Sequence, residues 1–298
     1  MTTTTAAPSA AVTAAPSALR SFWRAYRHAP ANLVGLALLV GHLALALVAP
    51  LIVPHSPTAL NADQLLQPPS VAHPFGTDRF GRDVFSRVLL GGRVALAITL
   101  VSAALSVLIG GLFGAAMAYL GGVVDELAMR FVDALLAIPG LLLLLVIVTA
   151  LGSGYTVIVL AMVLSYTPGV IRVARAAALE YVPRDFVTAA RARGEHAFDV
   201  TIRELWPNVL DVLLVEFAMR ASWMLLAVSG LSFLGFGVNP PTPDWGLMIS
   251  ENRALLALAP WSTVAPMIAI ASLVVALNLV ADGVAKAAGL DRSRGGPV

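Results

Sequence analysis

Residues Val94–Leu120 read VALAITLVSAALSVLIGGLFGAAMAYL, an unbroken run of 27 residues without a charge. A helix needs about 20 apolar residues to cross roughly 30 Å of hydrocarbon, so this run is long enough to span a membrane. The chain as a whole is also strongly apolar, since 58% of its 298 residues are hydrophobic and only 12% are charged. Soluble domains carry about 25% charged residues. The sequence therefore predicts an all-α, polytopic membrane protein.

Further apolar runs on both sides of this one bring the predicted number of spans to six. Ala134–Ile171 contains 38 uncharged residues interrupted by Gly152-Ser153-Gly154, which suits a hairpin of two spans better than one helix. Each remaining run is long enough for a single span. The six predicted spans are Leu33–Val53, Val94–Leu120, Leu127–Leu151, Tyr155–Arg172, Val212–Val238 and Ala254–Ala281.

The distribution of basic residues predicts the orientation of these spans. With both termini in the cytoplasm, the inner segments hold 13 Arg and Lys residues and the outer segments hold five, as the positive-inside rule favours. Residues 1–27 are then a disordered, basic cytoplasmic tail, and 28–93 hold the first span and an extracytoplasmic loop. Residues 94–288 form the core with a polar cytoplasmic loop at about 179–208, and 289–298 form a cytoplasmic tail.

Small residues recur along one side of the second span. Gly110, Gly114 and Ala118 follow each other at four-residue spacing, and small residues on one face let helices approach closely in lipid. The pattern fits a packing face against another span or a partner subunit. It also fits the general abundance of Gly and Ala in this chain.

Catalytic and metal-binding motifs are missing from the sequence. There is no cysteine, the five histidines are scattered, and neither HExxH nor GxSxG occurs. A P-loop needs Lys followed by Ser or Thr, but Lys286, the one lysine, is followed by Ala287. A net charge of +2 does not indicate a nucleic-acid-binding surface. We therefore expect no enzymatic activity and no metal or cofactor in this chain, which can still move solutes if a partner supplies the energy.

One charged stretch interrupts the apolar runs, RDFVTAARARGEH at Arg184–His196. Pro183 can open a helix, and Asp185 lies in its first turn, where the helix dipole favours an anion. Gly194 suits a left-handed helix end. A second short helix, about His196–Leu205, is expected to end before Pro207. The prediction is a helix-turn-helix outside the bilayer that fits a socket on a partner; the alternative is a solvated loop.

This stretch, TAARARG followed by Pro207, resembles the EAA loop of the permeases of binding-protein-dependent ABC transporters. In that family the loop forms a coupling helix that docks on an ATPase subunit. Thr188, Glu204 and Trp206 stand where the general pattern has Glu, Ile and Leu. The resemblance implies a MetI-like (type I importer) fold. The residues that it implies for the ATPase contact are Asp185, Ala189, Ala190, Gly194 and Pro207.

Three other segments are similar to the C-type permease subunit of dipeptide, oligopeptide and nickel importers: HPFGTDRFGRDVFSR at His73–Arg87, SFLGFGVNPPTPDWG at Ser232–Gly246 and NLVADG at Asn278–Gly283. The likeness implies a bacterial cytoplasmic-membrane protein that imports short peptides, with nickel or a nickel chelate as the alternative substrate. It also implies a B-type permease partner, two ATPase subunits or one fused ATPase that bind ATP and Mg²⁺, and an extracytoplasmic binding protein. A secondary transporter is less favoured, because broken helices with coupling-ion ligands are not recognised.

Two further sets of residues are candidates for function, each with a structural alternative. Glu216 and Arg220 lie four residues apart in the fifth span, where charges usually pair or face a cavity. The outer motif suggests a tight turn that caps a short helix, Arg82–Leu90, with Asp83 and Arg87 as an i,i+4 pair. This helix lies near the docking site of the binding protein or, alternatively, forms a structural lid over the end of the second span. The candidate residues for lining the translocation path of the substrate are Glu216, Arg220, Trp223 and Met224. The candidate contacts for the binding protein are Gly76, Thr77, Asp78, Gly81, Arg82, Asp83 and Trp245.

Overall fold

The computed structural model of the protein describes residues 18–289, and within that range it consists of eleven α-helices and no named strand. The predicted tail residues 1–17 and 290–298 lie outside the described part. The helices are α1 Ala18–Arg27, α2 Pro30–Ile52, α3 Val84–Leu120, α4 Gly122–Leu136, α5 Gly140–Leu151, α6 Tyr155–Leu179, α7 Asp185–Ala192, α8 Ala197–Val200, α9 Trp206–Phe233, α10 Trp245–Asn252 and α11 Trp261–Ala287.

Five of these helical segments are long and apolar enough to cross a membrane, and a sixth crossing results if the bent pair α4 and α5 counts as one span. Five of the six predicted spans are thus present as apolar helices with different boundaries, and the predicted third span corresponds to the bent pair. The prediction of a disordered segment up to residue 27 is wrong for α1, which turns directly into α2 at Pro30. Pro30 opens α2 because its fixed φ suits a first helical turn.

The predicted second span is part of a longer helix. Helix α3 is 37 residues long, about 55 Å at 1.5 Å per residue, and it starts ten residues before the predicted boundary. Asp83 caps it by accepting a hydrogen bond from the Ser86 N–H at 2.8 Å. The separate short helix Arg82–Leu90 is therefore a wrong prediction. The chain has no reason to break there, because the charge of Arg87 is neutralised inside the protein.

The predicted third span is broken. Helices α4 and α5 meet at an angle of 82°, and Pro139 is the residue that precedes α5. A proline disfavours helical backbone at the residue before it, here Ile138, so α4 ends and α5 starts in a new direction. The hairpin that was predicted between α5 and α6 is present, with Gly152 in the left-handed region at φ +92°.

The fifth span continues without a break from the polar loop. The expected helix end at Trp206-Pro207 is wrong, since Ala197–Phe233 forms one helical run of 37 residues. A π-helical turn at Thr201–Leu205 leads into α9. Pro207 then stands in the first turn of α9, a position at which the missing N–H breaks no hydrogen bond within α9.

The outer connection after α9 contains a short buried helix. Helix α9 ends at Phe233, and Asp244 caps α10 by accepting a hydrogen bond from the Leu247 N–H at 3.0 Å. Helix α11 starts only at Trp261, after Pro260, so the last span begins seven residues later than predicted. Helix α10 packs between α9 and α11.

Helices α3 and α6 share the most extensive contact of the bundle. A Cβ added to Gly110 would lie 2.8 Å from Val170 Cβ, and one added to Gly114 would lie 2.5 Å from the Ile171 carbonyl oxygen. The backbones approach this closely only because these positions carry no side chain. The small face of α3 is therefore a packing face within the chain, which decides between the interpretations left open by the sequence.

Buried apolar side chains form two clusters at different heights of the bundle. The larger one joins α3, α9 and α11 around residues such as Leu96, Met224 and Leu273. The second one joins the C-terminal parts of α3 and α6 to the polar loop through Val187 and Val200. The polar loop is thus attached to the spans by a core of its own.

The α3–α6 contact yields a test with a matched control. Gly114→Ala places a methyl group against a backbone carbonyl, and we expect a loss of about 1–3 kcal/mol of stability, typical of overpacking. Gly41→Ala on α2 meets no atom within 4 Å and should leave stability unchanged or slightly raised. The apparent Tm of the purified variants in detergent measures both. An equal Tm for the two variants would contradict the close contact.

Candidate functional site

The charged stretch forms two short helices around a left-handed turn. Helix α7 begins at Asp185, after Arg184 in extended conformation. Gly194 follows α7 with φ +76°, and the Glu195 N–H returns to the Ala190 carbonyl oxygen at 3.2 Å. This closes the helix as a left-handed residue at a helix end does. The predicted helix-turn-helix is therefore present.

One face of α7 is fixed to the spans. Val187 and Ala190 are completely buried in the second apolar cluster. Arg191 donates from Nη2 to the carbonyl oxygen of Tyr119 at the end of α3, at 3.2 Å. Its guanidinium also lies 4.5 Å from the centre of the Tyr119 ring, a cation–π distance. A force applied to α7 thus reaches the end of α3 directly.

The opposite face of α7 is exposed and made of small or short side chains. It carries Asp185, Ala189 and two residues that sequence reasoning did not select, Thr188 and Ala192. The sequence could have indicated them, because they lie three or four positions apart on a helix whose opposite side carries the apolar residues Val187 and Ala190. The implied role of Ala190 needs correction, since a side chain with 0% exposure cannot contact a partner.

The other two implied contact residues occupy different environments. Gly194 lies in the exposed turn, and a Cβ added there meets no atom within 4 Å. Pro207 is exposed but stands in the first turn of α9, 13 residues beyond Gly194 in the sequence. Phe198 on α8 is 72% exposed, so it extends the outward surface on the far side of the turn with one large apolar side chain.

Ion pairs connect α4 to α6 next to this surface. Arg175 binds Asp125 through both carboxylate oxygens, with Nε 2.6 Å from Oδ1, and Arg172 binds Asp133. The Arg175 pair is partly buried, and such two-pronged arginine contacts are geometrically restrictive. These ion pairs join the bent third span to the helix that leads into α7.

The predicted pair in α9 forms. Arg220 Nε donates to Glu216 Oε1 at 2.5 Å, and Glu216 is buried. The guanidinium lies over Gly169 of α6, where an added Cβ would be 2.8 Å from Arg220 Nη2. Glycine at this position therefore makes room for a charged group between α6 and α9. The pair is neutralised internally, which lowers the cost of charges at membrane depth.

The two apolar neighbours of this pair point in opposite directions. Trp223 is 61% exposed, whereas Met224 is completely buried in the larger apolar cluster. The prediction that Met224 lines a route needs correction, because its side chain reaches no surface of this chain. Glu216 is likewise covered. Arg220 and Trp223 remain as the members of the predicted path set with exposed atoms.

At the other end of α3, the motif GTDRFGRD folds into a tight, buried turn. Gly76 and Gly81 have φ values of +70° and +72°. An added Cβ would lie 2.3 Å from the Gln67 carbonyl oxygen at Gly76 and 1.9 Å from that of Asn61 at Gly81. The Thr77 hydroxyl donates to the Gln64 carbonyl oxygen at 2.5 Å. The two glycines thus let the loop fold back against itself.

Four charged side chains meet beneath this turn. Arg82 donates from Nε to Asp78 Oδ2 at 2.7 Å and from Nη2 to Glu251 Oε2 at 2.5 Å. Arg87 lies 3.7 Å from each of the same two carboxylate oxygens, and its Nη1 donates to the Pro57 carbonyl oxygen at 2.9 Å. The cluster links the outer loop, the start of α3 and α10 within a largely buried space. The expected Asp83–Arg87 pair is therefore wrong.

Asp83 instead contacts a histidine. Its Oδ1 lies 2.9 Å from His73 Nδ1, and the His73 ring lies 4.5 Å from that of His55. Among residues 18–289, however, no three His, Asp or Glu side chains lie together so that they could hold a metal ion. The role that the geometry supports for Asp83 is to cap α3 and orient His73.

Trp245 completes this buried outer region. Its indole N–H donates to the Val88 carbonyl oxygen at 2.8 Å, and the ring lies against Gly91 and Gly92, where an added Cβ would come within 3 Å of it. Asp244, which precedes it, is buried, and this burial raises the pKa of its carboxyl group. The candidate role of Trp245 as a contact for the binding protein needs correction, because its side chain is buried within this chain.

All seven candidate contacts for the binding protein are buried within the chain. The prediction that they form a contact surface therefore needs correction. The motif builds a clamp inside the protein. Sequence reasoning missed two members of it, Arg87 as a buried charge and Glu251 as its partner. The sequence does not indicate Glu251 as a partner, since it is 164 positions away from Arg87 along the chain. The stretch around Arg87 contains more arginines than acidic residues, and this excess could have indicated a distant carboxylate partner.

Comparisons with known proteins place this fold among transport proteins. A family model described as "Binding-protein-dependent transport system inner membrane component" matches residues 106–290. A second one, "N-terminal TM domain of oligopeptide transport permease C", matches residues 17–69. The chain is 35% identical to the dipeptide transport system permease protein of Haemophilus influenzae, over 89% of this chain and 92% of that protein. It is also 35% identical to a glutathione transport system permease protein of Escherichia coli, over 88% of this chain and 87% of that protein.

The buried charge cluster yields a prediction that uses two arginines of the same motif. Arg82→Gln leaves Asp78 and Glu251 without their closest partner, and removal of one partner of a buried ion pair costs about 3–5 kcal/mol. Arg79→Gln removes an exposed guanidinium that contacts only the Phe80 ring among the interactions described, so we expect a change of about 1 kcal/mol or less. Thermal unfolding of the purified variants compares the two. An equal or larger loss for Arg79→Gln would contradict the stabilising role of the buried cluster.

Proposed function

Because the chain belongs to the family of binding-protein-dependent transport system inner membrane components, we propose that it is one of two permease subunits in an ATP-driven importer of short peptides. The observation that carries the substrate class is the match over nearly the full chain to permeases of dipeptide and glutathione transport systems. Glutathione is itself a short peptide. Nickel or a nickel chelate was the alternative substrate, and the names of these relatives do not favour it.

The proposed assembly has four kinds of component. Besides this chain it contains a B-type permease, ATPases in one or two polypeptides, and an extracytoplasmic protein that binds the substrate. ATP and Mg²⁺ are bound by the ATPases, because the sequence of this chain contains no P-loop. A permease of this kind supplies a route and a mechanical connection, and no chemical step takes place on its own residues.

We place both termini and α7 on the cytoplasmic side of the bacterial inner membrane. The support is the excess of basic residues in the segments that would be cytoplasmic, 13 against five. The outer turn at Gly76–Gly81 and helix α10 would then face the binding protein's compartment. The clamp beneath them would hold that face in one shape while the binding protein docks elsewhere on it.

The proposed ATPase contact is the outward face of α7. Asp185, Thr188, Ala189 and Ala192 are exposed there, and short side chains allow a partner's groove to approach the helix backbone. Val187 and Ala190 fasten the other face to the spans. When nucleotide binding closes the ATPases, α7 moves with them. The movement reaches α3 through Arg191 and Tyr119 and the rest of the bundle as a rigid-body displacement.

For the translocation path we propose the side of α9 on which Arg220 and Trp223 have exposed atoms. A peptide carries charges at both ends, so it needs polar groups and water between the two permease subunits. Arg220 can offer guanidinium N–H groups while its hydrogen bond to Glu216 fixes its orientation. Trp223 would narrow the route beside it.

Transport by the assembled system tests the substrate class. In vesicles that contain the four components, we expect ATP-dependent accumulation of a radiolabelled dipeptide or tripeptide against its gradient. Vesicles with this chain alone should show none, because the energy source is absent. Uphill accumulation by the chain alone would contradict the proposal, as would accumulation of Ni²⁺ without any peptide uptake.

The ATPase contact is tested by one alanine substitution at the exposed face. Ala189→Trp should obstruct docking and reduce peptide uptake by about tenfold or more, which corresponds to about 1.4 kcal/mol lost from the contact. ATP hydrolysis should then no longer depend on the substrate-loaded binding protein. Ala190→Trp is unsuitable, because it would disturb the core.

The matched control is Ala254→Trp, an exposed alanine of the connection between α10 and α11. It should leave both uptake and hydrolysis near wild-type values, since it lies away from α7. Membrane insertion of each variant is followed by quantitative immunoblotting of the membrane fraction. Unchanged coupling in Ala189→Trp, with normal insertion, would remove α7 from the proposed contact.

A further inference from the structure

An open groove of about 560 Å³ runs along the membrane-spanning surface between α2 and α9, with α3 and α11 as its floor. Its size lies within the range of ligand-binding pockets. Its lining contains no charged residue and consists of ten large apolar side chains and two alanines. The lining residues are Phe22, Leu39, Leu43, Leu100, Val101, Ala104, Leu214, Phe217, Ala218, Leu277, Val280 and Val284.

This composition fits a flexible hydrocarbon chain better than another helix. Helices associate closely in lipid through small residues and through polar side chains that bond across the contact. In this chain the small face at Gly110 and Gly114 is already filled by α6. The groove provides branched and aromatic side chains instead. The first 17 residues of the chain do not suit it either, because they are mostly Thr, Ala, Pro and Ser.

The groove has the length of one leaflet. It extends from Phe22 and Val284, close to the α1–α2 turn, to Leu43 on α2. Leu43 is 13 residues beyond the start of α2 at Pro30, about 20 Å along a helix. Half of the hydrocarbon layer is about 15 Å thick. A single acyl chain of the leaflet nearest to α1 can therefore lie in the groove along its whole length.

Helix α1 is fixed across the mouth of the groove. Tyr26 is almost fully buried, and its ring occupies the space over Gly283 of α11, where an added Cβ would be 2.5 Å from the ring. The Tyr26 hydroxyl donates to the Asn32 carbonyl oxygen at 3.2 Å, and Asn32 Nδ2 donates to the Tyr26 carbonyl oxygen at 2.8 Å. These contacts hold Phe22, one turn earlier on the same face, in the groove lining.

The other face of α1 is basic and aromatic. Arg24 and Arg27 are exposed, and Trp23 is 46% exposed while its ring stacks on Tyr26 at 5.8 Å. The sequence of α1, ALRSFWRAYR, contains three arginines and no acid. Tryptophan and basic residues on a surface helix are the groups that meet lipid headgroups at a membrane interface. Positive charge next to an apolar groove complements a molecule with an anionic head and a hydrocarbon tail.

We propose that this groove is a binding site for an anionic phospholipid, with one acyl chain between α2 and α9 and the phosphate at Arg24 and Arg27 of α1. The bound lipid fills the space that helix packing leaves open at the first span. It fastens α2 to the remaining spans on that side. Lipid binding at this site requires only that the chain is inserted in the membrane, and it does not depend on which substrate is transported.

Lipid titration by native mass spectrometry tests the site. The full-length chain is purified with its co-expressed transporter subunits, delipidated in detergent and titrated with phosphatidylglycerol or phosphatidylcholine. We expect one tight phosphatidylglycerol per chain and weaker phosphatidylcholine. Ala104→Phe fills the groove from an exposed position and should abolish tight binding of either lipid. In the double variant Arg24→Gln/Arg27→Gln, the affinity for phosphatidylglycerol should fall by about fivefold per arginine removed. This variant should still bind phosphatidylcholine, so the preference for phosphatidylglycerol is lost.

Two control variants make the same chemical changes elsewhere. Ala271→Phe adds a phenyl ring at an exposed position of α11 outside the groove lining, and Arg79→Gln removes an exposed charge from the outer loop. Both should bind phosphatidylglycerol as the wild type does. Equal binding by Ala104→Phe and Ala271→Phe would overturn the proposal, as would equal wild-type affinity for the two lipids. Binding to the isolated chain that disappears in the assembled transporter would show that another subunit occupies the groove.

Discussion

The close contact of α3 with α6 is the interaction on which the rest of the structure depends. Gly110 and Gly114 let the two backbones meet, and dispersion forces over this dry contact act where lipid offers no hydrophobic driving force. Helix α3 then works as a rod of about 55 Å. Its first turn carries Arg87 of the outer clamp, and its last turn carries Tyr119, which holds Arg191 of α7. The outer clamp and the attachment point of α7 are therefore at the two ends of one helix.

Most charged side chains among residues 18–289 are paired or lie at the surface of the bundle, as a low dielectric requires, whereas the buried Asp244 caps α10. Arg82 with Asp78 and Glu251, and Arg220 with Glu216, are covered and neutralised. The pairs between α4 and α6 are more exposed and lie at the helix ends. Such covered pairs contribute more to a single arrangement of the helices than to stability, since desolvation offsets most of their attraction.

The outward surfaces differ in chemistry, and each difference suits a different neighbour. Helix α7 offers short side chains on a helix with its reverse face in the core, which suits a protein groove. Helix α1 offers arginine and tryptophan above an apolar groove, which suits lipid. The side of α9 near Arg220 and Trp223 has a guanidinium beside an aromatic ring, and it suits a polar solute. Motion of α7 would be transmitted to the other two surfaces through the same bundle.

Local sequence determined the membrane class, the number of apolar segments, the turn at Gly194 and the Glu216–Arg220 pair, because each depends on neighbours within about one helical turn or on composition. The course of the backbone at proline was predictable only in part: Pro139 breaks a span, whereas Pro207 stands harmlessly in a first helical turn. Only the tertiary structure decided that Ala190 and Met224 are buried and that the GTDRFGRD motif is a clamp and not a contact surface. Burial and charge pairing depend on residues far apart in the chain, such as Arg82 and Glu251, and a single sequence does not record which distant groups come together.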